Sequence, residues 1–141
     1  MTIAQVLGNC AGMCSVGAKQ TLDAILALGP KPPAPSEALL WEQQATRLQG
    51  QLNSLTALNA RLTAESVLAA LEEFSPQLEE VGRVAKDAQA RIKRIKEVSE
   101  LLTKLATVLD LGLAVLAAAA APSAATVGAV VKAGKAVASG V

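Results

Sequence analysis

Between Asp110 and Lys132 the chain carries no charged residue, and the stretch is built almost wholly of Leu, Ala, Val and Gly. A helix that is apolar on every side must be covered, either by the rest of a protein or by lipid. That single demand limits the fold more than any other feature of the sequence. The surrounding composition says the segment is helical. Ala and Leu are strong helix formers, whereas a sheet core draws on aromatic and β-branched side chains. Tyr is absent here, and one Trp and one Phe are the only aromatic residues. An all-α chain is therefore expected.

Four segments follow from the spacing of apolar residues and from the prolines. Residues 1–28 place Ile3, Val6, Leu7, Cys10 and Cys14, then Leu22, Ile25, Leu26 and Leu28, at helical intervals, giving an apolar N-terminal helix. "GPKPPAP" at 29–35 cannot be helical, because proline lacks the amide and restricts the residue before it. Residues 36–121 form a long helical hairpin or coiled-coil region. Beyond Pro122 and Ser123, residues 124–141 read as a short Ala/Gly/Val-rich C-terminal helix.

Within 36–121, Ser36 suits an N-cap, and Trp41, Ala45, Leu48, Leu52, Leu55, Asn59 and Leu62 form one seam. The phase then drifts to Val67, Leu68, Leu71 and Phe74. Ser75 followed by Pro76 signals a new helix, which makes a hairpin the expected outcome and a kinked rod the alternative. From there Leu78, Val81, Ala85, Ala88, Ile92, Ile95, Ser99, Leu102, Ala106, Leu109, Leu113 and Leu116 follow a heptad pattern without a slip. One helix over 76–121 would be roughly 70 Å long. A compact chain of this size has a gyration radius of only about 14 Å. The expected molecule is thus elongated, or it oligomerises through a seam of Leu78, Val81, Ile92, Ile95, Leu102 and Leu109.

The opposite side of that helix is charged as far as Lys104 and then becomes apolar, with Val108, Leu111, Ala114 and Val115 outward. Leu105, Val108, Leu111, Val115 and Leu116, with Val127 and Val130 across the Pro-Ser turn, are the candidate membrane- or partner-docking residues. Residues 105–121 sit at the lower length limit for crossing about 30 Å of hydrocarbon. Asp110 at mid-membrane would cost about 2.5–3.5 kcal/mol unless an oligomer hid it.

Chemistry-bearing patterns are sparse. Thirteen basic and 12 acidic residues leave a net charge of +1, so no global field draws nucleic acid, and none is expected as a partner. His is absent, which removes the commonest general base and metal ligand. Cys10 and Cys14 read as small apolar residues on a packed face, poorly placed for a disulfide and weak as a zinc site. "ARIKRIKE" at 90–97 reads as a solvated coiled-coil flank rather than a phosphate-binding run. No cofactor, metal or catalytic residue is expected. Nor does the start of the chain form a convincing signal peptide, so the compartment is left open, with membrane association as one option.

A long rod with an apolar tip resembles helical pore-forming and holin-like proteins in outline, and equally small virion or injection-machine components. No motif ties the chain to one family. The functional expectation is a non-enzymatic, self-assembling helical protein that inserts into or docks on a membrane through its apolar C-terminal hairpin. The alternative is a soluble oligomeric component that buries the same segment in subunit contacts. Expected partners are further copies of the chain, membrane lipid, or a protein docked at the apolar ends.

Overall fold

The computed structural model describes residues 1–139. It is all-α: α1 (Ile3–Ala27), α2 (Pro35–Leu62), α3 (Glu65–Leu71), a 3-10 turn (Glu72–Phe74), α4 (Ser75–Arg94), α5 (Val98–Ala120) and α6 (Ala124–Ser139). The last two residues of the expected C-terminal helix, 140 and 141, lie outside the described residues.

Helix ends follow local chemistry. Thr2 and Gln5 form a reciprocal cap at the start of α1: Thr2 Oγ1 accepts from the Gln5 amide (3.2 Å), and Gln5 Oε1 accepts from the Thr2 amide (2.8 Å). At the other end Gly29 takes φ +65, the left-handed conformation that releases the chain from a helix and suits glycine. The Trp41 indole N–H then donates to the Gly29 carbonyl (3.2 Å), fastening the proline-rich loop to α2. α2 starts at Pro35, one residue before the expected Ser36 cap, since proline fits the first turn where no amide is needed. α4 likewise starts at Ser75, with Pro76 in its first turn. The drift in apolar phase after Leu62 marks a real break at Thr63 and Ala64.

The five long helices close into a ring. α1 packs on α2 and α4, α2 on α5, α5 on α6, and α6 back on α4, while α1 also touches α5 across the middle. The short α3 packs against α5 and α1. Glycines set the closest approaches. A Cβ on Gly17 would lie 2.8 Å from a Leu105 methyl and 3.3 Å from one of Leu55. One on Gly112 would lie 2.8 Å from a Leu58 methyl. Leu55 therefore sits near Leu105, and Leu58 near Gly112, so α2 and α5 run in parallel.

Two expectations about the middle of the chain are corrected. The unbroken helix over 76–121 does not form: α4 ends at Arg94, Ile95 is extended (ψ 124), and α5 begins at Val98. Gln20 of α1 donates to the Ile95 carbonyl (2.9 Å), which satisfies the turn from outside, and the Ile95 side chain stays buried. Nor do α2 and α4 pair as a direct hairpin. α1 packs against both, and the elongated hairpin or rod gives way to a bundle.

The turn at 95–97 also resets the helical phase. α5 buries Leu101, Lys104, Leu105, Val108, Leu111, Gly112, Val115 and Ala118. The heptad positions inherited from α4 turn outward: Leu102, Leu109 and Leu116 are half-buried, and Ala106 and Leu113 are exposed. Val108, Leu111 and Val115, expected on the outer side, face the core.

Enlarging Gly17 to Val should drive a side chain into Leu105 and Leu55 and destabilise the fold by about 1–3 kcal/mol or more. Gly50→Ala, at a helical site with nothing within 4 Å, should instead stabilise by about 0.5–1 kcal/mol. Urea unfolding of the two variants should therefore shift in opposite directions.

Candidate functional site

The sequence-derived residues divide between the inside and the outer surface of one chain. Of the expected oligomer seam, Leu78, Val81, Ile92 and Ile95 are buried in the bundle's own core, while Leu102 and Leu109 remain half-exposed. Of the expected docking set, Leu105, Val108, Leu111, Val115, Val127 and Val130 are buried, and Leu116 is half-buried on the outer side. The α5–α6 hairpin itself is present. Ser123 Oγ accepts from the Thr126 amide (3.1 Å) and Thr126 Oγ1 from the Ser123 amide (3.0 Å), a mutual cap that starts α6 directly after Pro122. Asp110 is exposed on the single chain rather than hidden.

What remains outside is an apolar strip on α5. Leu113 is 54% exposed, and Ala106, Ala117 and Ala120 are exposed around it. Beside the strip, three shallow depressions follow the seam between α5 and the α2–α3 segment. The first, about 720 Å³, lies among Leu39, Leu40, Arg47, Val98 and Leu102. The second, about 470 Å³, lies among Arg47, Gln51, Ser54, Leu102, Thr103 and Leu109. The third, about 390 Å³, lies among Arg61, Val67, Leu116 and Ala119. Leu39 and Leu40 are 57% and 63% exposed at the head of this groove. Gln51 Oε1, within it, is buried and has no hydrogen-bond partner. The sequence reading did not single out Leu39, Leu40, Arg47 or Gln51, because the groove arises only when α5 takes its shifted phase.

A second arrangement was also missed. Lys104 was counted with the solvated charges, yet it is 3% exposed, and its Nζ donates to the Val137 carbonyl near the end of α6. Arg91 Nη1 donates to the next carbonyl, Ala138 (2.9 Å). Two cations thus meet the negative end of the α6 dipole and tie α6 to α4 and α5. Burial, and then the Arg91 charge, hold the Lys104 ammonium below its ordinary pKa. The signal for Lys104 lay in its neighbours, since Leu101, Leu105 and Val108 share its helical face. Of the basic run, Arg91, Lys93, Arg94 and Lys96 are all exposed, with Arg91 engaged on α6.

Cys10 and Cys14 are free thiols buried completely in α1. Burial, with Cys14 as a neighbour, pushes Cys10 up to about 12, and burial pushes Cys14 up to about 11. Neither is a nucleophile near neutral pH, because the thiolate is the reactive form. Among the described residues, no three His, Cys, Asp or Glu side chains gather to hold a metal ion. α5 is the one helix among them long and apolar enough to cross a membrane. Compared with known protein families, curated proteins and solved structures, the chain matches none.

The thiols yield a pH prediction. The folded chain holds them protonated, while the unfolded chain ionises them near 9.0. Their contribution to stability is complete below that pH and is lost as pH rises towards about 12. The urea midpoint should fall between about pH 8 and pH 11 by more in the native sequence than in Cys10→Ala/Cys14→Ala. Thiol reagents at about pH 8 should label the native protein only as fast as it unfolds.

Proposed function

We propose that the protein is a non-enzymatic helical assembly module that works by covering the outer face of α5 with another subunit. One observation carries this reading. α5 is apolar on two sides, and its own bundle covers one fully and the other only in part. Leu102, Leu109 and Leu116 recur at heptad spacing on the other side, half-buried, with Leu113 exposed between them. Regular seven-residue spacing of leucine beside a groove is what a facing helix needs in order to interlock.

A second reading, docking on or inserting into a bilayer through the C-terminal hairpin in a pore-forming or holin-like manner, draws support from the length and apolarity of α5. It carries a cost that the first does not. Withdrawing α5 and α6 from the bundle would uncover Leu55, Leu58 and Val81, which pack against Gly17, Gly112 and Gly134 or the leucines beside them. Lipid would take the hairpin but not these residues, each worth about 1.5–3 kcal/mol when buried.

In detergent-free buffer, sedimentation should show a discrete oligomer whose population rises with protein concentration. Leu113→Asp, an exposed substitution, should shift it to monomer without loss of helicity. A chain that is monomeric in buffer yet floats with liposomes would replace this reading with the membrane one.

A further inference from the structure

α6 is held in place differently from the other long helices. It packs on α4 and α5, and its buried residues are Val127, Val130, Gly134 and Val137, so no buried side chain larger than valine anchors it. Gly128 is exposed on another side, with nothing within 4 Å of an added Cβ, and a glycine there weakens the helix relative to alanine. Sixteen residues of this kind are marginal as a helix once they lose their contacts.

The two ends of α6 are fastened by different means. At its base Ala121 leaves the helical range (φ −143, ψ 75), Pro122 follows, and Thr126 Oγ1 donates to the Ala121 carbonyl (2.9 Å). At its far end the fastening is a pair of cations, with Lys104 Nζ on the Val137 carbonyl and Arg91 Nη1 on the Ala138 carbonyl. We propose that α6 is a hinged clasp, which lets go at the Arg91 and Lys104 end and opens about residues 121–123 while α1–α5 stay folded.

The physical case has three parts. Bonds from a cation to a carbonyl are exchanged for bonds to water when they open, so a polar fastening releases at less cost than an apolar one. Lys104 is 3% exposed in the closed form, which holds its ammonium below the ordinary pKa, chiefly through burial, and opening returns that charge to water. α5 need not follow, because Leu105 against Gly17 and Gly112 against Leu58 fix it to α1 and α2 on other sides. Closure is nevertheless specific. A Cβ on Gly134 would lie 3.2 Å from a Val81 methyl, so α6 reseats on α4 where its glycine meets that valine. The outer face of α5 is unchanged in both forms, and the clasp works whatever covers that face.

Native-state hydrogen exchange on the full chain, at neutral pH and low urea, tests the clasp. Amides from Val130 to Val137 should share one protection factor, at least tenfold below that of Cys10 to Cys14, while Leu105 to Val115 stay as protected as α1. Arg91 is exposed, so Arg91→Gln should keep the helicity seen by circular dichroism and speed exchange of the α6 amides at least threefold. Three results would overturn the clasp: protection of α6 equal to that of α1, protection that declines residue by residue towards the chain end as in simple fraying, or release of α5 together with α6. An Arg91→Gln variant with unchanged α6 exchange would overturn the part given to Arg91, because its bond would then survive the opening.

Discussion

Everything else in this structure depends on how close α5 can come to α1 and α2. Gly17 and Gly112 remove the side chains that would hold the helices apart, and Leu105, Leu55 and Leu58 fill the space. Contacts at that range allow a core made almost wholly of Leu, Val and Ala to reach the density of ordinary protein interiors without aromatic bulk. The depth of that approach also decides which face of α5 is inside. Once Gly112 meets Leu58, Leu101, Leu105, Val108, Leu111 and Val115 must face the core, and the leucines at 102, 109, 113 and 116 are left on the other side.

Much of this was legible in the sequence. The helical class, the end of α1 near Leu28, the break at Pro122 and the loss of phase after Leu62 come from local chemistry and recur in the structure, while the proline-rich segment gives up Pro35 to the first turn of α2. The continuous heptad from Leu78 to Leu116 misled. Its positions on α4 are buried in the core, whereas on α5 Leu102, Leu109 and Leu116 reach only its edge and Ser99, Ala106 and Leu113 are exposed. The turn between them is held by Gln20, seventy-five residues earlier in the chain. No periodicity within 76–121 could reveal a contact made from α1. Lys104 was misread for the same reason. Taken as the last charge of a solvated side it is unremarkable. In the shifted phase it is a buried ammonium whose hydrogen bond goes to the far end of α6.

The candidate surface follows from that reset. A helix with one apolar side needs one partner layer, and α5 has a second apolar side that its bundle covers only in part. The unsatisfied side is not a scatter of leucines, which would be ordinary on any protein surface. It has regular spacing, a groove beside it and, within that groove, a buried amide oxygen with no hydrogen-bond partner. Membrane insertion would use the same helix in a different way, by separating it from Leu55 and Leu58. The two accounts therefore differ in whether α5 stays packed within its own chain while the protein works.

Native-state hydrogen exchange in lipid-free buffer measures that difference most directly. If α5 belongs to the core, its amides from Leu105 to Val115 should exchange only through global unfolding, with the same protection as Cys10 to Cys14 of α1. Exchange of that segment at a markedly faster rate, with α1 still protected, would mean that the C-terminal hairpin detaches from an otherwise intact bundle. That result would contradict the central claim.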